Sequence, residues 1–116
     1  MSRMPTTADA FNAVAEPRRR QILDLLAERE RPVNEIVGLT GLGQPQVSKH
    51  LRVLREVGAV RAREQGRQRL YRVDGEALRP VFDWVSRYQH LWEERFERLD
   101  DVLEDLKKDG GDDDER

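Results

Sequence analysis

Apolar residues recur at helical spacing through the first third of the chain, and polar breaks divide them into three short helices. The first helix is expected over residues 7–15, with Thr7 as a possible cap. Glu16-Pro17 predicts a restart, because proline is tolerated in a first helical turn, and the second helix then runs to about Glu28. After the polar connector Arg29-Glu30-Arg31-Pro32, Asn34 can cap a third helix that ends near Gly41.

The clearest amphipathic pattern follows a glycine-rich turn and predicts a fourth helix from Gln44 or Pro45 to just before Gly58. With Val47 at the centre of the inward face, Leu51 and Leu54 lie beside it. The positions that then point outward are Pro45, Ser48, Lys49, Arg52 and Glu56. The flanking positions are Gln44, Gln46, His50 and Arg55. A helix, a tight glycine turn and a second helix are typical of the helix-turn-helix motif.

After Gly58 the pattern changes from helical spacing to strict alternation, which predicts two strands. Residues 60–63 form the first strand, Gln65-Gly66-Arg67 can turn, and residues 69–73 return as the second. A two-stranded ribbon is marginal alone, but attached to the helices it becomes a wing with Arg67 near its tip. The predicted fold is therefore mainly α with a small two-stranded β-wing (α+β), a winged helix-turn-helix.

A long apolar stripe in the last third of the chain predicts one terminal helix from Leu78 to Lys107, with Asp74 as its cap and Pro80 in its first turn. Unbroken, it would extend roughly 45 Å. One small domain cannot cover so long a stripe, so we expect its distal half to pack against a second copy of the chain. The predicted organisation is a flexible N-terminus (1–6), a winged helix-turn-helix domain (7–76), a dimerisation helix (77–108) and a disordered acidic tail (109–116).

Composition narrows the class of protein. The 116 residues and 37% hydrophobic content suit one modest core, and the absence of cysteine excludes disulfides and thiolate metal sites. Residues 1–7 carry no apolar signal segment and no apolar run could span a membrane, so a cytoplasmic protein is expected.

The distribution of charge points to nucleic acid, although the net charge is only −2. Residues 44–72 contain eight cations and two anions, whereas residues 100–116 contain nine anions and three cations. A cationic region that coincides with the fourth helix and the wing predicts a double-stranded DNA partner.

Three stretches of the sequence resemble the ArsR/SmtB family of bacterial winged-helix repressors: residues 11–23 (FNAVAEPRRRQIL), 44–54 (QPQVSKHLRVL) and 58–60 (GAV). The similarity covers residues 11–73, and Ser48-Lys49-His50-Leu51 is its most specific part. The last helix, with Trp84, Arg87-Tyr88 and Trp92-Glu93-Glu94-Arg95, resembles the metal-free branch of small autorepressors. The resemblance implies a homodimer that pairs through its first and last helices and represses transcription by covering an operator. The expected dimer residues are Phe11, Val85, Tyr88, Trp92, Phe96 and Leu99.

Candidate DNA-contacting side chains lie on the fourth helix and the wing. Ser48 and Gln46 can bond base edges or phosphates, whereas Lys49 and Arg52 neutralise phosphates. The expected set is Gln44, Gln46, Ser48, Lys49, His50, Arg52, Arg63, Arg67 and Arg69. A solvated amphipathic helix and a solvated hairpin are the alternatives for the same residues. If roughly four cations per protomer meet phosphates, the affinity of a dimer should fall with log salt at a slope near −7.

Two details of the fourth helix stay open. His50 can donate to a phosphate, as the resemblance implies, or be a half-buried structural histidine. Gly43 stands where relatives often carry a serine cap, so the helix start relies on backbone amides or on Gln44.

Other functions fit the sequence less well. The family's dimer-interface metal site needs a second histidine, and here Asp83, His90 and Glu93 offer too few ligands, so no metal or other cofactor is expected. The aromatic residues of the last helix could line a ligand pocket, but such a stripe is more typical of a core or dimer seam. Glu93 and Glu94 do not face each other and lack a nucleophile, so an enzyme is not expected. A protein-interaction module for an acidic partner, or a metal- or ligand-responsive switch, remains the alternative, and no effector can be named.

Overall fold

Four α-helices precede the wing hairpin, and their bounds follow the predicted periodicity. They are α1 (Thr7–Ala15), α2 (Pro17–Glu28), α3 (Val33–Thr40) and α4 (Gln44–Glu56). The structure, a computed structural model, describes residues 7–114, and side chains for residues 9–95 and 98–107. The flexible N-terminus expected for residues 1–6 lies outside the described residues. The chain divides between Phe82 and Asp83 into two compact units.

The helix ends show which residues act as caps. Glu16 caps α2, because its side chain accepts the N–H of Arg18 at 3.0 Å, and proline follows at the first helical position. The cap expected at Asn34 is wrong: α3 begins at Val33, and extended Pro32 holds the cap position without a side-chain bond. The glycine stop is confirmed, since Gly41 adopts φ 75° and its N–H reaches the carbonyl of Val37.

A single hydrophobic core holds the first unit together. It takes apolar side chains from all four helices and from the first residues of the wing, and α4 contributes Val47, Leu51 and Leu54, all of which are buried. This confirms the predicted inward face of α4. Fixing that face by burial also fixes the rotation of the helix, so its polar face is held toward solvent.

The sheet has three antiparallel strands rather than the two that alternation predicted. They are β1 (Arg31–Pro32), β2 (Val60–Gln65) and β3 (Gln68–Val73), in the spatial order β1-β3-β2. The connector before α3 supplies β1, where Arg31 pairs with Tyr71. Two residues are too few to show a period of two, so the pattern could not reveal this strand.

Arg31 explains why the connector is ordered. Its side chain is buried, and its Nε donates to the carbonyl of Leu25 at 2.9 Å. The same guanidinium makes ion pairs with Glu28 and Glu35. A buried charge is tolerated when it is paired and hydrogen-bonded in this way, and the network joins the end of α2 to the start of α3.

The terminal helix is broken in two, which corrects the single helix expected from Leu78 to Lys107. Asp74 caps a 3₁₀ helix (Gly75–Leu78) through the N–H of Glu76, and α5 (Arg79–Ser86) and α6 (Gln89–Asp114) follow. Between them the N–H groups of Arg87 and Tyr88 reach carbonyls three residues back. The Ser86 hydroxyl also donates to the carbonyl of Asp83, and this competition for backbone acceptors accounts for the tightened turn.

The expected domain bounds (7–76 and 77–108) stay a prediction, and the compact units of the structure are a separate observation. The two compact units meet at Phe82 and Asp83. Helix α6 continues past Lys108 to Asp114, because extending a formed helix adds a hydrogen bond for each residue fixed. The disorder expected for the tail stays a prediction for residues 115 and 116, which lie outside the described residues. No described helix is long and apolar enough to span a bilayer.

Candidate nucleic-acid interface

The start of α4 is held by Gln46. Its Oε1 accepts the N–H of Gly43 at 3.0 Å, and the N–H of Val47 donates to the carbonyl of Gly43. As expected for glycine at the cap position, no side chain caps the first helical N–H groups, and Gln46 rather than Gln44 closes the turn from within the helix. Gln46 was expected to contact bases. Its oxygen is occupied in this structure, which leaves the amide N–H₂ for an outside acceptor.

The outward face of α4 carries exposed polar side chains, as the sequence predicts. Gln44, Ser48, Lys49 and Arg52 are exposed, opposite the buried residues of the same helix. Among the residues that the structure describes, no carboxylate lies within ion-pair distance of Lys49 or Arg52. These two cations are therefore available to an external anion.

His50 lies on the flank of α4 and is partly buried. Burial, and then the neighbouring charge of Arg19, lower the pKa of the His50 imidazole, while Glu16 opposes them. A lowered pKa favours the neutral ring near pH 7, so His50 adds no fixed charge to the face. A phosphate nearby would favour the protonated form instead. Both roles anticipated for His50 are compatible with this position.

The wing tip is a two-residue turn. Glu64 pairs with Arg69 and Gln65 with Gln68, so Gly66 and Arg67 form the loop. Gly66 has φ 62°, and no residue other than glycine in the described chain has a positive φ. This combination fits a type II′ hairpin, which needs a left-handed first residue only. Arg67 is exposed at the tip, as predicted, and makes no ion pair with any described residue.

The other two wing arginines that were expected to meet phosphate, Arg63 and Arg69, are engaged within the protein. Arg63 binds Glu30 with both prongs of its guanidinium, Nε to Oε2 and Nη2 to Oε1, each at 2.8 Å. The hydrogen bond to Arg63 holds the pKa of Glu30 below its usual value, and the same bond raises the pKa of Arg63. Arg69 lies 3.6 Å from Glu64 and 6.0 Å above the Tyr71 ring. Of the three expected phosphate contacts on the wing, only Arg67 is unpaired within the described chain.

A charge-swap experiment separates the two possible roles of Arg63. The variant Arg63→Glu is expected to weaken DNA binding about tenfold, because it breaks the bond that ties β2 to the connector. The double variant Glu30→Arg/Arg63→Glu restores an ion pair and the native net charge, so we expect it to recover most of that loss in a fluorescence anisotropy titration. If Arg63 touches phosphate directly, the double variant will bind as weakly as the single one.

Two arginines at the start of α2 have structural roles that the sequence did not predict. Arg19 donates to the carbonyls of Ala13 and Asn12, and Arg20 donates to the carbonyl of Val14 at 2.7 Å. They donate hydrogen bonds to carbonyl groups at the end of α1, which receive no hydrogen bond from within that helix. The sequence shows only a run of three arginines after a proline, and that run does not reveal that two of them bind backbone carbonyls of α1.

The second unit places most of the expected dimer residues on its surface. Tyr88, Trp92 and Leu99 are exposed, Val85 is partly buried, and Trp84 meets Tyr88 edge to face with ring centroids 5.5 Å apart. Arg95, Arg98, Leu99 and Val102 line an open apolar groove on α6. The side chain of Phe96 lies outside the described residues. In the first unit, Phe11 is partly buried and interacts with other residues of the same chain.

Within the described residues, no group of three or more histidine, cysteine or acidic side chains is arranged to hold a metal ion. His90 and Glu93 lie on α6, where Glu93 accepts a hydrogen bond from Gln89 at 2.9 Å.

The arrangement of α3, a left-handed glycine turn, α4 and a hairpin defines a winged helix-turn-helix protein. Comparison with known proteins gives the family. The sequence pattern described as "Bacterial regulatory protein, arsR family" matches residues 16–62. A crystal structure of a possible transcriptional regulator for arsenical resistance is 36% identical, with a TM-score of 0.61, and the match covers 74% of this chain and 95% of that one. The protein belongs to the ArsR family of bacterial transcriptional regulators, a family without enzymatic activity.

Two further relatives extend the comparison. The winged helix-turn-helix DNA-binding domain Mb0332 of Mycobacterium bovis, a homodimer in solution, is 38% identical with a TM-score of 0.60, over 78% of this chain and 82% of that domain. The transcriptional regulator Rv0324 of Mycobacterium tuberculosis is 43% identical over 74 residues, which are 64% of this chain and 33% of that protein. The chain spans from 33% to 64% of the length of the first curated relatives it matches.

Proposed function

We propose that this protein is a homodimeric transcriptional repressor that binds double-stranded operator DNA through α4 and the wing. The observation that carries the proposal is the outward face of α4. Lys49 and Arg52 are exposed there without an internal ion pair, beside Ser48 and Gln44, while the opposite face is buried. A recognition helix in a major groove needs this combination of base-edge donors, phosphate-neutralising cations and fixed rotation.

The wing contributes one contact rather than three in this proposal. Arg67 stands unpaired at the hairpin tip, where it can meet flanking phosphates or enter a narrowed minor groove. Arg63 and Arg69 hold the wing's shape through their acidic partners. Among the nine residues expected to contact DNA, the cations without an ion pair to any described residue are therefore three per protomer: Lys49, Arg52 and Arg67.

The second unit supplies the dimer contact in this proposal. Trp92, Leu99, Leu103 and Leu106 fall within a narrow stripe of α6 at helical spacing, and all are exposed in the single chain. A second copy would cover this stripe, and the homodimeric relative Mb0332 supports that choice of partner. Two-fold symmetry then predicts an inverted-repeat operator with recognition helices about 34–36 Å apart, or a multiple of that.

The salt dependence of binding tests the proposal. Six phosphate contacts per dimer predict that log affinity falls with log salt at a slope of about −5, shallower than the value near −7 expected from the sequence. Fluorescence anisotropy on genomic fragments selected by the protein would measure the slope, and nuclease protection would show the inverted repeat. A slope near zero, or failure to bind any duplex at low salt, would contradict DNA binding.

The alternatives give different outcomes in the same experiments. A module for an acidic protein partner would bind no duplex at low salt. A metal-responsive switch would change its DNA affinity on titration with zinc or nickel. This alternative is worth testing because one curated relative is named as a probable mercury resistance operon repressor. In our proposal, the protein belongs to the metal-free branch of the family and acts in the cytoplasm. Its DNA affinity should therefore stay unchanged through that titration.

A further inference from the structure

Three arginines surround an open groove between the second half of α4 and the start of β2. The groove has a volume of about 520 Å³ and is lined by Arg52, Arg55, Glu56, Gly58, Val60, Arg61 and Ala62. Both walls belong to the first compact unit, and the turn at Gly58 joins them. Glu56 is the single carboxylate of the lining, and Asp74 beside the groove pairs with Arg61, so the groove keeps a net positive charge from Arg52 and Arg55.

The three arginines of the groove differ in whether an acidic side chain pairs with them. Arg61 is anchored, because its Nε donates to Asp74 Oδ2 at 2.6 Å, and the carboxylate of Asp74 also accepts the N–H of Glu76. The bond to Arg61 holds the pKa of Asp74 below its usual value, so the anchor is charged at neutral pH. Arg52 and Arg55 make no ion pair with any described residue. The groove thus combines one fixed guanidinium with two that lack an acidic partner.

We propose that this groove binds a phosphate ester. Planar guanidinium forks match phosphate oxygens, and two unpaired arginines beside an anchored one exceed the charge of the single lining carboxylate. The volume is larger than one phosphate, so the remainder of the ligand lies along the open face. Two sources supply this chemistry: the DNA backbone beside the duplex segment that α4 contacts, or a free phosphorylated small molecule. The DNA source rests on the proposed function, whereas phosphate binding as such does not.

Pyrophosphate titration of the full chain tests the site without DNA. Arg55→Gln is expected to weaken pyrophosphate binding about tenfold in calorimetry, since it removes a charge-assisted hydrogen bond. Arg55→Lys keeps the charge but loses the fork, and we expect an intermediate affinity. Glu56→Gln removes the opposing carboxylate and should tighten binding. Arg87→Gln, an exposed arginine outside the lining, is the matched control.

Salt slopes on duplex DNA distinguish the two sources. If the DNA backbone occupies the groove, Arg55→Gln makes the slope shallower by about 1.8 per dimer, the value for two lost phosphate contacts. If the ligand is a small molecule, the slope is unchanged, and pyrophosphate alters DNA affinity only in proteins that retain Arg55. Failure of the proposed function would appear separately, as a wild-type protein that binds pyrophosphate but no duplex.

The proposal is overturned if Arg55→Gln changes neither pyrophosphate binding nor the salt slope. Circular dichroism and thermal melting establish that the variant is folded. Should Arg55→Gln lower the melting temperature, Glu56→Gln decides the matter, because it tests the same groove with the opposite sign. Pyrophosphate binding that does not tighten in Glu56→Gln then contradicts the site.

Discussion

A protein carrying Lys49→Ala and Arg52→Ala is expected to bind its operator roughly 10³-fold more weakly than the wild type at 0.1 M salt. The two substitutions remove four of the six phosphate contacts proposed for the dimer. Each lost contact forfeits the release of about 0.9 counterions, so the salt slope should rise from about −5 to about −2. Both side chains are exposed, and their loss should leave the melting temperature nearly unchanged. Fluorescence anisotropy at several salt concentrations measures both quantities.

A charge-matched control separates contact from the general field of the protein. Arg87→Ala/Lys107→Ala also removes two cations per protomer, but from positions outside α4 and the wing. This control should lose only a few-fold in affinity, because charges that make no phosphate contact act only through a field that is screened over about 10 Å at 0.1 M salt. Equal losses and equal slopes in the two double variants would show that α4 does not contact the phosphates.

The parts of the fold that the sequence predicts are those governed by local pattern. Helix α4 follows from three apolar residues at helical spacing, and its polar face follows from the same rotation. The stop at Gly41 and the turn at Gly66 follow from the left-handed conformations that glycine accepts readily. Each of these inferences uses residues that are close in the chain, where spacing alone decides the geometry.

Two kinds of contact account for what the sequence could not predict: contacts between distant residues, and local side-chain hydrogen bonds that hydrophobic spacing does not show. Arg63 was expected to meet phosphate, but it pairs with Glu30, which lies thirty-three positions earlier in the chain. The sheet brings the two residues together through β1, a strand too short to show a periodic pattern. The break between α5 and α6 contains neither glycine nor proline, and it depends on a serine hydroxyl that competes for a carbonyl. Gln46 carries the right chemistry for a base contact, yet the nearest orphan N–H is that of Gly43.

The cations of the candidate interface fall into two groups. The basic region of the sequence separates into arginines that shape the wing and the connector, and cations that remain available to an anion. Structural arginines such as Arg31 and Arg63 are paired through several hydrogen bonds, whereas Lys49, Arg52 and Arg67 are not. Charge density in the sequence therefore indicates the face that we propose binds DNA, but it overestimates how many cations of that face are available to phosphate.

The second large effect is expected on self-association. Leu99 is 51% exposed in the single chain, and it shares one stripe of α6 with Trp92, which is 46% exposed. In a dimer that buries this stripe, Leu99→Glu would place two carboxylates in an apolar seam, where desolvation opposes the charged form. We expect dimer dissociation to become at least 10²-fold more favourable, which analytical ultracentrifugation measures over a concentration series.

The consequence for DNA binding follows from symmetry and provides the sharper test. A dimer engages two half-sites at once, whereas a Leu99→Glu monomer holds one and loses the effective concentration that links the second. Binding to a full inverted repeat should therefore fall to nearly that of a single half-site, while affinity for an isolated half-site changes little. Asp101→Lys is the control, because residue 101 lies nine positions after Trp92 and thus on the opposite side of α6. If Leu99→Glu remains a dimer with full operator affinity, the stripe on α6 is not the seam.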